Sequence, residues 1–224
     1  METTSYDAAK GFSENISRKI RPYLIFTSLN VVWMSLDKEA KTVLDVGCGK
    51  SDPMKFINRN KSFYAIGIDI FKPYLKKSKF HRIHDDYILC DATKLPIKSK
   101  CVDIVLCTEV LEHLERAPGR ELLGKIASIA QKQVVITSPI GDYEQSAYDG
   151  NPYQEHKWIW TPSELQALGY KVIGIGLRNI GGDNRIFSRF NTLKLLSDLI
   201  WIIAGPFTRF LPQSAGDMVC IKKI

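Results

Sequence analysis

Val43-Leu44-Asp45-Val46-Gly47-Cys48-Gly49 decides the fold of this chain. The apolar residues around Asp45 read as a buried strand, and the two glycines turn it sharply. Ser51-Asp52-Pro53 follows with helix-start chemistry, Asp52 as N-cap and Pro53 at the first helical position. Backbone that turns this tightly after a strand lets a small cofactor approach closely. The spare N–H groups of the next helix's first turn face the same crevice.

Outward from that point, apolar runs and helical patterns alternate. Tyr64-Ala65-Ile66-Gly67-Ile68-Asp69 is a second strand, followed by a short basic helix through Lys76, Lys77 and Lys79. A third strand lies near Tyr87-Ile88-Leu89-Cys90 and ends at Asp91. A fourth is Val102-Asp103-Ile104-Val105-Leu106-Cys107. A helix from about Pro118 to Ala130 leads into a fifth strand, Val134-Val135-Ile136-Thr137. Thr161-Pro162-Ser163-Glu164 opens a later helix with a capping box, and strands six and seven fall at Lys171–Ile175 and Met218–Ile221. Strands that alternate with helices and read as near-continuous apolar runs predict an α/β fold. Its sheet is doubly wound and mostly parallel, with helices on both faces.

At 224 residues the chain is long enough for one domain with a sizeable core. Hydrophobic residues make up 45% and charged residues 25%, a globular balance that argues against wholesale disorder. The net charge of +7 favours acidic partners such as lipid headgroups, nucleic acid or a phosphorylated substrate, without choosing among them. A merely soluble basic surface explains it equally well. Five cysteines, with no CxxC pair, predict reduced and mostly buried thiols in a cytoplasmic protein. Acidic and polar residues precede any apolar run at the N-terminus, so no secretory signal is expected. Residues 1–41 read as a helical segment, 42–180 as the core and 181–215 as an apolar insert, all within one domain spanning 1–224.

Ligands of open α/β sheets bind where the strands end at their carboxyl side. Those positions carry Gly47-Cys48-Gly49, then Asp69, 22 residues after Gly47, then Asp91-Ala92, then Thr108-Glu109. An acid in the place of Asp69 suits ribose hydroxyls. A carboxylate in the place of Asp91 can accept from an adenine amino group. Each of these alone is an ordinary turn or cap residue; their succession is the signal. The third glycine of the dinucleotide fingerprint is missing, since Lys50, Ser51 and Asp52 occupy its place, which disfavours a nicotinamide oxidoreductase.

On these residues the chain resembles the class I S-adenosylmethionine-dependent methyltransferases, of the small-molecule, type 11-like kind. The matching segments are VLDVGCG at 43–49, GIDI at 67–70, CDATKLPI at 90–97, VDIVLCTEVLEHL at 102–114 and VVITSPIG at 134–141. The resemblance implies a Rossmann-like sheet of seven strands whose last strand runs antiparallel between five and six. It implies S-adenosyl-L-methionine as cofactor. Asp45, Gly47 and Gly49 would surround its methionine moiety, with Cys48 lining the turn. Asp69 would hold the ribose hydroxyls, and Ile70 would pack on the adenine. Asp91 would meet the adenine amino group with Ala92 beside it, and Thr108 and Glu109 would face the methionine end.

The acceptor side is less legible. Glu112 and His113 follow Glu109, and in similar segments they are often structural. His156 lies in the polar loop from Pro139 to Trp160, where loop residues at this sheet edge carry function. It is the expected substrate-side or acid–base residue; the alternative is a loop histidine bonded to backbone. No metal-ligand set is assigned. Asn151-Pro152-Tyr153 resembles the NPPY motif of amino-methylating enzymes, but that motif follows strand four and this one follows strand five.

The expected reaction is methyl transfer to a small-molecule or lipid-linked acceptor at oxygen. An RNA or protein methyltransferase is a rival supported mainly by charge; no nucleic-acid module is recognisable. A non-catalytic cofactor-binding partner protein is another. The apolar stretch 193–211 is expected to cover the core, to form a homodimer face, or to lie at a membrane interface. In the last case Trp201, Phe207 and Phe210 would dip in and the protein would sit at the inner membrane face.

Overall fold

The computed structural model describes residues 27–141, 145–147, 149–178 and 206–224. The expected helices before residue 27 and most of the 193–211 stretch lie outside the described residues.

Twelve elements position the site. They are α1 (Ser28–Ser35), β1 (Thr42–Val46), α2 (Asp52–Ile57), β2 (Tyr64–Asp69), α3 (Lys72–Phe80) and β3 (Asp86–Leu89). Then come β4 (Val102–Thr108), α4 (Arg116–Ile129), β5 (Ala130–Pro139), α5 (Pro162–Ala167), β6 (Lys171–Leu177) and β7 (Ala215–Lys223). The strands form one sheet in the order β3-β2-β1-β4-β5-β7-β6. β1 through β5 pair in parallel, and β7 pairs antiparallel with both β5 and β6. The strand order reverses between β1 and β4, which places a ligand crevice at their carboxyl ends.

Period-two alternation sends neighbouring residues to opposite faces of the sheet. Leu44, Val46, Val105, Cys107, Val134 and Ile136 pack with Leu122, Ile126 and Trp160 on one face. Val43, Ile104, Leu106 and Val135 pack with Val31, Met54 and Ile57 on the other. Both faces are therefore dry, as near-continuous apolar runs require.

Among the boundaries that differ from the sequence reading, three bear on packing around the site. Ser51, not Asp52, caps α2, in a left-handed conformation at φ 66° without a side-chain cap bond. Asp52 and Pro53 move one place into the helix, where the acid still meets the positive N-terminal end. α4 starts at Arg116, so Pro118 falls in the first turn, where its missing N–H costs nothing. β5 runs on to Pro139 because β7 offers hydrogen-bond partners from Gln133 to Pro139. At α5 the capping box is present as expected: Thr161 accepts from the Glu164 N–H and Glu164 accepts from the Thr161 N–H.

Among the described residues no helix is long and apolar enough to cross a membrane. The described end of the apolar insert leaves Phe207 and Phe210 70% and 81% exposed.

Candidate functional site

The glycine turn is built from behind. Cys48 N–H donates to the Ile68 carbonyl (2.8 Å) and Gly49 N–H donates to Asp69 Oδ2 (2.7 Å), so the end of β2 holds the turn that follows β1. Gly47 sits at φ 70°, and a Cβ there would lie 2.3 Å from Val110 Cγ2. Gly49 sits at φ 53°, but a Cβ there would meet only a Tyr74 ring carbon at 3.9 Å. The space in front of Gly49 is therefore open, as a cradle for a small ligand must be.

Asp45 is 2% exposed, and its Oδ2 accepts from His84 Nε2 at 2.9 Å. His84 Nδ1 lies 3.4 Å from Ser78 Oγ, which in turn accepts from Ser51 Oγ at 2.6 Å. This buried chain ties the end of β1 to the cap of α2 and to α3. Asp45 thus supports the turn through His84; the carboxylate does not stand open in the crevice, as its expected place around the methionine moiety would require. Cys48 is buried beside it, and burial with the charges of Asp45 and Asp69 pushes its thiol far up. It fills a small-residue slot in the turn.

The remaining donor-side residues line the same sheet edge. Asp69 is nearly buried, and burial raises its carboxyl above the ordinary value although N–H groups of Phe71 and Gly49 pull it back. Its Oδ1 accepts from Phe71 N–H at 2.7 Å, and each oxygen retains acceptor capacity. Ile70 follows it, half-buried. Asp91 caps the short turn Ala92–Lys94 through Oδ1, which accepts from Thr93 N–H and Oγ1 at 2.8 Å each, leaving Oδ2 for another donor. Asp91 and Ala92 are both partly accessible.

Thr108 ends β4 and Glu109 turns away from it at φ 53°, a left-handed conformation that a residue other than glycine adopts at a cost. Thr137 holds it there: the Glu109 N–H donates to the Thr137 carbonyl at 3.1 Å, and Thr137 Oγ1 donates to Glu109 Oε1 at 2.6 Å. Glu112 is 2% exposed within the turn Leu111–His113, and Ser138 Oγ donates to its Oε2 at 3.3 Å. Burial, then Glu109, drives the Glu112 carboxyl well above the usual carboxylate range. Among the described residues no lysine or arginine forms an ion pair with Glu109 or Glu112.

The long loop is stitched onto this turn. The Glu112 carbonyl accepts from Lys157 N–H (2.7 Å) and Trp158 N–H (3.2 Å), and Trp160 Nε1 donates to the Leu111 carbonyl at 3.1 Å. Gly119 makes room for that indole, since a Cβ there would lie 2.7 Å from it. These bonds bring His156 to His113, with ring centroids 5.0 Å apart. His113 Nδ1 lies 3.1 Å from the Glu155 carbonyl, which can only accept, so Nδ1 carries the proton and Nε2 keeps its lone pair. Burial lowers the His113 pKa, favouring the neutral ring. At its other end the loop meets the glycine turn: Asp149 pairs with Lys50 and accepts from the Tyr74 hydroxyl.

Glycine turn, acidic strand ends and sheet order are together those of a Rossmann-like α/β fold. A methyltransferase domain family matches residues 44–133. An uncharacterised protein from Methanocaldococcus jannaschii is 31% identical over 114 residues, 50% of this chain and 48% of that protein. The chain thus spans about half the length of this curated relative. Among solved structures, a SAM-dependent methyltransferase from Archaeoglobus fulgidus is 21% identical, with 94% of each chain covered and a TM-score of 0.56. A chain of the complex between the Haloferax volcanii Trm112 methyltransferase activator and a methyltransferase is 15% identical over 95% of each chain, with a TM-score of 0.60. Magnesium protoporphyrin IX methyltransferase from Synechocystis, with bound SAM, is 16% identical over 73% of this chain and 77% of that one, with a TM-score of 0.51. Residues 44–133 thus match a methyltransferase domain, and S-adenosylmethionine is the cofactor that such a domain implies.

The residues present fit that cofactor. The open space before Gly49, the spare acceptor capacity of Asp69 and the free Oδ2 of Asp91 succeed one another along one sheet edge.

Proposed function

We propose that this protein transfers a methyl group from S-adenosylmethionine to an oxygen of a small or lipid-linked acceptor. The observation that carries the reading is the approach of His113 and His156 to 5.0 Å at the carboxyl end of β4, beside Glu109 and next to the glycine turn of neighbouring β1. When bound, the cofactor supplies an electrophilic methyl group on its sulfonium. The chain's own tasks are then to bind, align and take up a proton.

Gly47 and Gly49 admit the methionine tail with Thr108 and Glu109 at its far side, Asp69 accepts from the ribose hydroxyls, Ile70 packs on the base, and Asp91 accepts from the adenine amino group with Ala92 beside it. His156, half-buried and with its ring centroid 5.0 Å from that of His113, accepts the proton of the acceptor hydroxyl. Holding the acceptor in line contributes most of the rate, and the base adds about 10²–10⁴-fold. Exposed Phe207, Phe210 and Leu211 around Arg209 support a lipid-linked acceptor met at a membrane surface. The five free cysteines support a cytoplasmic setting.

The test is titration with S-adenosylhomocysteine, followed by mass-spectrometric tracking of labelled methyl groups into a cell extract. Saturable binding and a labelled product are expected. Replacing His156 with Ala is expected to lower turnover about 10²-fold or more with the cofactor affinity unchanged. Absence of S-adenosylhomocysteine binding would overturn the reading.

A further inference from the structure

We infer that Glu112, His113 and His156 form a binding site for a divalent first-row transition metal on the acceptor side of the crevice. One ligand atom from each of the three lies within 4.8 Å of the others. Two imidazoles and one carboxylate form a donor set that suits such ions and leaves coordination positions open. Mg²⁺ and Ca²⁺ prefer all-oxygen surroundings and fit this set poorly.

Three features besides proximity support the assignment. First, the His113 tautomer is fixed for ligation. Its Nδ1 donates to the Glu155 carbonyl, so Nε2 presents its lone pair, and a backbone carbonyl behind a ligating histidine is the usual orienting partner. Second, Glu112 and Glu109 bring two carboxyl groups together at a site where, among the described residues, neither forms an ion pair with lysine or arginine. Third, the site is held by backbone bonds that no cation is needed to form: Lys157 and Trp158 N–H groups donate to the Glu112 carbonyl on one side of His156, and His156 N–H donates to the Gln145 carbonyl at 3.0 Å. His156 is delivered to the turn whether or not the ion is present.

Bonds of about 2.0–2.2 Å require ligand atoms about 3–3.5 Å apart. The three must therefore close by at most about 1.3–1.8 Å from the 4.8 Å within which they lie. Rotation of the half-buried His156 ring on its loop supplies that movement, while Glu112 and His113 stay fixed in the turn after β4. A cation so held faces the same space as the acceptor oxygen of the proposed reaction, with His156 then acting as ligand and no longer as base. The inference stands on the cluster's geometry and not on that reaction.

The experiment uses the untagged full chain, stripped with chelator and dialysed, titrated with Co²⁺ and followed by visible absorption, with Zn²⁺ as competitor. Saturable binding of one Co²⁺ per chain, displaced by Zn²⁺, is expected. His156→Ala and His113→Ala are expected to weaken Co²⁺ binding by at least about tenfold. His81→Ala, outside the cluster, is expected to leave it unchanged. The His156→Ala chain should stay folded, with far-UV circular dichroism unchanged, because its backbone bonds remain. No saturable binding below about 1 mM Co²⁺, which is about −4 kcal/mol, would overturn the inference. So would equal affinity of wild type and His156→Ala, or loss of binding in His81→Ala. Because the readout is the ion, failure here leaves His156 as a base intact. Failure of methyl transfer likewise leaves the binding curve to be judged by itself.

Discussion

Replacing Gly47 with Ala tests how the crevice is held open. Two penalties apply at that position. The backbone stands at φ 70°, and an L-residue there costs about 1–2 kcal/mol. The new Cβ also lies 2.3 Å from Val110 Cγ2, more than 1 Å inside ordinary contact, and overpacking of that kind costs about 1–3 kcal/mol. The sum is about 2–5 kcal/mol of lost stability. The two penalties separate in a double-mutant cycle. Val110→Ala removes the clashing methyl groups, so the double variant should recover the overpacking part and keep the backbone part, giving a coupling energy of about 1–3 kcal/mol. Urea unfolding reads the stability. Calorimetry with S-adenosylhomocysteine reads the site, where an affinity loss of at least about tenfold is expected because Val110 adjoins Glu109 and moves with it. A Gly47→Ala chain within about 0.5 kcal/mol of wild type, with unchanged affinity, would refute the account of the turn.

Asp69→Ala removes the acceptor of the Gly49 and Phe71 N–H groups and should weaken S-adenosylhomocysteine binding by about 1–3 kcal/mol; equal calorimetric affinity would reject that role. Iodoacetamide at pH 8 should label exposed Cys101 first and Cys90 slowly. Cys107 and Cys220 are buried and Cys48 is both buried and held protonated, so these three should react only after denaturation, as intact mass will show. Rapid modification of Cys48 in the folded chain would contradict the geometry of the turn. Trp160→Phe deletes the bond to the Leu111 carbonyl and part of a buried indole, and should cost about 2–3 kcal/mol in urea unfolding. An unchanged midpoint would show that the loop is not held by this residue.

The sheet was legible because burial on both faces leaves a strong mark. β1, β2, β4 and β5 read as apolar runs near their observed places, since a strand covered on two sides tolerates little else, whereas β3, at the sheet edge, is only partly buried. The place of β7 between β5 and β6 followed from resemblance and not from pattern, because a run such as Met218–Ile221 carries no trace of which strand it will pair with or in which direction. The ends of elements were read less well. Ser51 caps α2 through a left-handed backbone, and Asp52 beside it offered the more familiar chemistry.

In the candidate site, the residues whose position was legible are those that follow from where a strand ends: Gly47, Gly49, Asp69, Asp91 and Glu109. Those missed are held by contacts between distant segments. His84 is 39 residues from Asp45, and nothing near it in sequence announces a buried bond at 2.9 Å. The pairing of His113 with His156 is harder still, because it depends on the Glu112 carbonyl capturing two N–H groups of a loop 45 residues away, and a backbone acceptor has no sequence signature. The apolar Trp160, which anchors that loop, was the available clue. A tryptophan buried to 2% at the end of a polar loop, opposite a glycine in a helix, is the mark of a segment pinned down and not left to solvent. Such a segment carries its histidine to a fixed place. It touches the glycine turn through Asp149 and the turn after β4 through Lys157, so one piece of chain ties the two turns together.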